Sequence, residues 1–259
     1  MALYDPVNGV YRKVTKKYDP IDGVYRKVTK AYDPVDGVYR QYFGGDTIVG
    51  QISVGNSVWT NVNGKQTEFL VVQQGNPDAT MYDESCNGTW LLWKGRYNYT
   101  ELGFRDNRDL SLWLSGDLQE MLEGALDSNV EAAIKQAKIP FFNPGRWLLE
   151  SGIYGKAIKF FLLSGYEVGF TSQNSNYLPV DGACLEYFVG ANNEKRVLEW
   201  GLTWLLRSVN TNSAIDVWCV DYGGAPVSLS TETGYFYIRP AFILDSNTPF
   251  IRAGGKNII

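Results

Sequence analysis

The chemistry open to this 259-residue chain is limited first by an absence: it contains no histidine. That removes the commonest general base, the commonest transition-metal ligand and every Ser/His or Cys/His nucleophile pair. Three cysteines remain, Cys86, Cys184 and Cys219. They are odd in number and widely spaced, so they form neither a disulfide framework nor a C-x-x-C metal cluster, and they read as buried thiols. Carboxylate, lysine and tyrosine catalysis stays open. The expectation is a non-enzymatic protein that uses no cofactor and no metal.

Recognition chemistry has a better candidate. Two arginines sit in apolar motifs, Arg207 in Trp-Leu-Leu-Arg-Ser and Arg239 in Ile-Arg-Pro-Ala-Phe, and residues 209–236 between them are rich in Asn, Asp, Ser, Thr and Tyr. Asn210, Asn212, Asp216, Asp221, Tyr222 and Tyr235 are the candidate ligand-binding groups. Tyrosine supplies rigid contact area and short polar side chains supply adaptable hydrogen bonds, which is the composition of a paratope. An ordinary solvated loop has much the same composition. Arg207 and Arg239 read as structural, because five donors in an apolar setting tie loop carbonyls or a carboxylate together. Trp204 and Trp218 read as core residues.

The elements that would position these groups follow from pattern. Residues 4–17 read YDPVNGVYRKVTKK, 18–31 read YDPIDGVYRKVTKA and 32–45 read YDPVDGVYRQYFGG, a triple repeat of period 14. Each copy carries Asp-Pro and then Asn-Gly or Asp-Gly as turn signals, followed by a β-branched and aromatic run, so one copy reads as a turn plus one strand. A single unit has too little apolar surface to fold alone, which makes residues 1–45 an anchor or oligomerisation segment that stacks on itself, on the rest of the chain or on a partner. Eight Lys or Arg against five Asp give this segment a net +3, which also suits a basic linker.

From residue 46 the texture is that of one large domain. Residues 47–54, 57–62 and 67–72 read as strands, with Asn63-Gly64 marking a hairpin. Asp106 or Asn107 is placed to cap a helix running through Leu114, and 117–126 and 128–138 read as further helices, the last ended by Pro140. Residues 157–163 read as a buried strand, and Ser164-x-x-Glu167 as a capping box. Short strands and loops follow beyond residue 202. This order indicates an α+β class. The chain is 44% hydrophobic, enough for a sizeable core, and its net charge of −4 disfavours nucleic-acid binding. No apolar run is long enough for a membrane span, and residues 1–5 lack the order of a signal peptide.

Five segments together resemble a domain-of-unknown-function family of bacterial and phage proteins, itself similar to the C-type-lectin-like fold of formylglycine-generating enzymes and phage receptor-binding proteins. They are 50–72 with its Asn-Gly-Lys turn, Phe161-Leu162-Leu163-Ser164 with Glu167, Gly182-Ala183 with Tyr187-Phe188, the Arg207 motif and the Arg239 motif. In order and spacing they cover about 46–245. Leu205 stands where the family often has a second aromatic, and Tyr237 where it usually has glycine.

The resemblance implies a C-type-lectin-like domain over 46–259 that displays 209–236 to a host-surface glycan or protein, with residues 1–45 binding other virion or surface-assembly proteins, and a homo-oligomer as one form of that assembly. A phage virion, made in the bacterial cytoplasm, or else a bacterial cell surface, is the implied location. A decoration or connector protein and a formylglycine-generating-enzyme-like oxidase are the alternatives. Against the oxidase, Cys219 alone lies between the two arginine motifs, so no paired-thiol copper site is evident. Against calcium-dependent sugar binding, the tripeptides Glu-Pro-Asn, Gln-Pro-Asp and Trp-Asn-Asp do not occur.

Overall fold

The computed structural model describes residues 4–7, 10–13, 18–21, 24–27, 31–35, 38–43, 47–100, 110, 114–190, 192–198, 201–232 and 236–259. The chain divides into two units, Met1–Thr47 and Ile48–Ile259.

In the first unit each repeat is an antiparallel hairpin, where the sequence had suggested one turn and one strand. The pairs are β1 (Tyr4–Val7) with β2 (Val10–Lys13), β3 (Tyr18–Ile21) with β4 (Val24–Lys27), and β5 (Ala31–Val35) with β6 (Val38–Phe43). Val7 faces Val10, Ile21 faces Val24 and Val35 faces Val38, on either side of the Asn-Gly or Asp-Gly pair that is the strongest short hairpin signal in a sequence. Asp-Pro therefore lies inside the first strand. Proline is tolerated there because Pro6, Pro20 and Pro34 face Tyr11, Tyr25 and Tyr39 one step from the loop-closing pair. That is a non-hydrogen-bonded site of the ladder, so the missing N–H points to the outer edge.

The second unit opens with a 3-10 turn at Val49–Gln51 where a strand was expected, because Gly50 packs its backbone against Ser246. β7 (Ser57–Val62) and β8 (Lys65–Gln74) form the expected hairpin, with Asn63 at φ 50 and Gly64 at φ 74, the two left-handed residues of a type I′ turn. β9 (Thr89–Trp93) pairs with β8, and β10 (Tyr97–Thr100) leaves for a second sheet. Two six-residue helices follow, α1 (Asp117–Leu122) and α2 (Ser128–Ala133). A β-arm comes next: β11 (Ala137–Ile139) and β14 (Lys156–Ile158) pair at its base, and β12 (Phe141–Asn143) and β13 (Leu148–Glu150) pair beyond them. β15 (Phe160–Phe161) is followed by a long turn region and by β16 (Trp204–Val209), β17 (Asp216–Val220), β18 (Pro226–Ser230) and β19 (Phe236–Ile238). β20 (Ala241–Leu244), β21 (Ile251–Ala253) and β22 (Lys256–Ile258) complete the chain.

The α+β, C-type-lectin-like expectation is overturned. The protein is mostly β, with 38% strand against 14% helix and two short α-helices among the described residues. The helices expected over 117–126 and 128–138 stop early for identifiable reasons. Gly124 turns at φ 72, Leu126 bridges Val62, Ile134 bridges Leu244, and 137–139 is recruited as β11. Strand pairing wins over helix propensity wherever an open sheet edge is at hand. The strand expected over 157–163 is split into β14 and β15. The proposed cap at Asp106 or Asn107 lies outside the described residues.

Two sheets carry the core. One runs β15-β20-β9-β8-β7-β22-β21 and the other β10-β19-β16-β17-β18. Phe69 and Val71 of β8 join one apolar cluster while Leu70 and Val72 join another, and Leu91 of β9 is divided in the same way from Trp90 and Leu92. In the second sheet Leu205 and Cys219 belong to the first cluster, Trp204 and Val220 to the second. The central strands β9, β16, β17 and β20 are covered on both faces and buried along nearly their whole length, whereas β7 alternates between buried and half-buried positions.

The helices serve the sheet edge. The side-chain amide of Gln119 in α1 donates to the carbonyls of Leu114 and Phe160 at 2.7 and 2.6 Å, and its oxygen accepts from the N–H groups of Lys159 and Phe160 at 3.1 and 3.0 Å. It thereby stands in for the strand that edge strand β15 lacks. Gln119→Ala should lower the unfolding free energy by about 2 kcal/mol through unpaired backbone groups. Urea denaturation reads this directly, and an unchanged midpoint would refute it.

Candidate functional site

The densest group of polar side chains lies inside the second unit. Tyr82, Ser164, Glu167, Asp181, Arg207 and Ser208 are all 2% exposed or less. Arg207 is on β16, a strand buried along its whole length. Its Nη1 donates to Glu167 Oε2 at 2.5 Å and to the carbonyl of Leu162 at 2.8 Å. Nη2 donates to Glu167 Oε1 at 2.6 Å and to the carbonyl of Asp181 at 2.9 Å, and Nε to that of Pro140 at 3.0 Å. All five guanidinium donors are used.

Glu167 is held as completely. Oε1 also accepts the Tyr82 hydroxyl at 2.7 Å, and Oε2 the N–H of Ser164 at 2.9 Å, while Glu167 N–H donates to Ser164 Oγ at 3.1 Å. The last two bonds are the reciprocal pair of a capping box, but no helix follows them. The chain forms a turn closed by Val168 N–H to Ser164 O and Phe170 N–H to Gly165 O, with Gly169 at φ 82. Here the Ser-x-x-Glu signature shapes a tight turn that aims a carboxylate at Arg207.

The charges do not balance: two carboxylates face one guanidinium. Glu167 takes the bidentate contact, and Asp181 is left with the Ser208 hydroxyl at 2.9 and 2.8 Å on its two oxygens. Burial pushes the Asp181 carboxyl up to about 6, against the pull of Arg207 and Ser208. Burial and the neighbouring Glu167 charge push the Tyr82 phenol well above its ordinary value. This cluster is sealed and saturated with hydrogen bonds, so its chemistry is that of a clamp.

The residues of 209–236 are distributed differently from the sequence expectation. The stretch is the β16-β17-β18 meander, not a long irregular loop, because Val217, Trp218, Cys219 and Val220 are buried between the two cores. Asn210 accepts the N–H of Asn212 and donates to Ser228 Oγ, fixing the β16–β17 turn. Asp221 accepts the N–H groups of Gly223 and Ala225 and fixes the β17–β18 turn. Asp216 opens β17 opposite Ser230. Asn212 is exposed, and so is Tyr222, at 72%. Asn210, Asn212 and Asp216 thus lie at one end of β17 and Asp221 and Tyr222 at the other, about 17 Å apart for a five-residue strand. Tyr235 lies outside the described residues.

Arg239 is 4% exposed, donates to the carbonyls of Trp93 and Lys94, and lies 4.8 Å over the Trp204 ring. Arg196, which the sequence reading did not single out, is also buried, donates to the carbonyls of Val168 and Gly169 and lies over Phe170. Cys86 and Cys219 are buried, but Cys184 is exposed, which corrects the expectation for that thiol. Burial raises all three thiols above their ordinary range, Cys86 to about 12. Among the described residues no group of three or more Cys, Asp or Glu is placed to hold a metal, and no helix is long and apolar enough to cross a membrane.

The pH response of the clamp follows from its geometry. The folded value of Asp181, near 6, stands above the ordinary 3.8. Its favourable contribution is therefore full below about pH 4 and is lost as pH rises through 6, a swing of about 3 kcal/mol. Asp181→Asn should melt progressively higher than the parent as pH goes from 4 to 7.5; a gap that does not vary with pH would refute the assignment. Gly182 is a second test. A Cβ there would lie 2.5 Å from Ser164 Oγ, 2.8 Å from Glu167 Cγ and 2.9 Å from the Tyr82 hydroxyl. Gly182→Ala should destabilise by about 1–3 kcal/mol, measured by calorimetry.

A family model described as a domain of unknown function (DUF6273) matches residues 87–246, more than half of the chain. The matched span contains every member of the clamp except Tyr82. No curated protein and no solved structure matches the chain.

Proposed function

The chain belongs to the DUF6273 family, and we propose that it is a non-enzymatic binding protein of a phage virion or bacterial surface assembly. The N-terminal hairpins attach it to that assembly, and the second unit presents a contact surface to a host glycan or protein. The observation that carries the reading is where the polar groups lie. The charged cluster that could have done chemistry is sealed and hydrogen-bonded throughout, whereas Asn212 and Tyr222 stand on tight turns braced by Asn210 and Asp221. Side chains exposed on rigid turns bind with little loss of conformational freedom.

A connector role without a host ligand is the second reading, and one observation favours it. β17 places its candidate groups at opposite ends, so a ligand smaller than about 17 Å does not reach both.

The two readings part on attachment. In the parent particle, Tyr222→Ala and Asn212→Ala should leave the melting temperature unchanged and weaken attachment to target cells by about thirtyfold if either residue is a hot spot. Deleting residues 1–47 should remove the protein from the particle while the remainder still melts cooperatively. Normal attachment by both point variants would favour the connector.

A further inference from the structure

We propose that the tip of the β-arm is a saccharide-binding site built around Trp147. This site lies outside 209–236 and does not depend on the reading given above. Among the described residues eleven large apolar side chains are exposed, and four of them, Trp147, Leu148, Ile153 and Tyr154, fall within eight positions of this arm. The concentration marks the arm as the place where apolar surface is held out to solvent.

Trp147 is the sharpest feature. It closes the loop between β12 and β13 at φ 55, in the left-handed region that favours glycine. Strain in a folded chain is ordinarily offset by burial, yet this indole is 54% exposed, as is Leu148 beside it. Strain kept without burial points to a contact outside the chain. The ring is not loose: it stands edge-to-face on Phe142, centroids 5.7 Å apart at 70°.

The neighbouring polar groups select the ligand class. Asn143 Oδ1 accepts the N–H groups of Gly145 and Arg146, and its Nδ2 donates to Glu150 Oε1 at 3.0 Å. Arg146 Nη1 pairs with the same Glu150 oxygen at 3.5 Å, its side chain 75% exposed. An amide, a carboxylate and a guanidinium, all planar and already oriented, thus line the hairpin that carries the indole. A sugar ring presents a C–H face suited to the indole and hydroxyls suited to planar donors and acceptors. The opposed charges of Arg146 and Glu150 leave the tip without a field for an anionic surface, which favours a neutral saccharide. A ten-residue hairpin also offers far less than the roughly 800 Å² per partner of a standard protein interface.

The test uses the full chain on an array of neutral hexose and N-acetylhexosamine oligosaccharides, followed by calorimetric titration with the best-bound oligomer. The unaltered protein should bind at least one, and Trp147→Gly should bind about thirtyfold or more weakly. Glycine accepts the left-handed turn, so its melting temperature should hold; should Trp147→Gly unfold, Trp147→Asn serves, because asparagine also tolerates that region. Asn143→Ala should weaken binding, Trp147→Phe should keep part of it, and Tyr222→Ala should bind as the parent does even if Tyr222 proves to be the contact proposed above for host attachment. Undiminished binding by the folded Trp147 variants overturns the proposal. So does binding to no oligosaccharide, or to phosphatidylglycerol vesicles alone.

Discussion

The guanidinium of Arg207 is the point on which the second unit closes. Its five donors reach the carbonyls of Pro140, Leu162 and Asp181 and both oxygens of Glu167. Those partners come from the arm, from the end of β15, from the segment before Gly182 and from the turn after Ser164. The arm and β15 have ladders of their own, but the segment before Gly182 and the turn after Ser164 lie in no strand, so there one planar cation does the work that strand pairing does elsewhere. Removing one partner of a buried ion pair typically costs about 3–5 kcal/mol, because the other is left charged and unpaired. The arrangement tolerates no gradual loosening.

The same clamp explains where the molecule is adaptable. With Tyr82, Ser164 and Ser208 also bonded, the clamp itself holds no polar side chain waiting for a ligand, and burial raises the thiols of Cys86 and Cys219. What stands outside is turn chemistry: Asn210, Asp221 and Asn143 each use a side-chain oxygen to hold a neighbouring N–H and so present the residue beyond. A rigid body with groups displayed on such turns is suited to contact. Burial raises the carboxyl of Asp181, so this excess carboxylate is the group that ties the stability of the clamp to pH.

The N-terminal hairpins follow another economy. Each copy sets aspartate opposite arginine and proline opposite tyrosine in the same register, and none of the three pairs with another in the ladders described. Two strands alone are marginal in water. In the attachment proposed above, three equal units would act multivalently, equal weak contacts combining.

Local signals in the sequence determined what depends on neighbours in the chain. The Asn63-Gly64 hairpin, the repeat period and the reciprocal Ser164–Glu167 pair were legible because a few consecutive residues suffice to make them. The burial of Arg207 and Arg239 was legible too, since a cation set among apolar residues has few other fates. Tertiary structure alone decided the rest. Residues 137–138, read as helix, became strand because the segment 156–158 lay alongside to pair with it. Within 209–236, read as a display surface among short strands and loops, β17 and β18 formed because Val217 to Val220 found an apolar layer on each face. Asp181, Ser208 and Tyr82 carry no local mark, and they joined the clamp only because folding set them within hydrogen-bond reach of groups 26 to 101 residues away in the chain. Hydrogen bonding and burial act over a few ångströms, so a partner distant in sequence is invisible until the fold has brought it near.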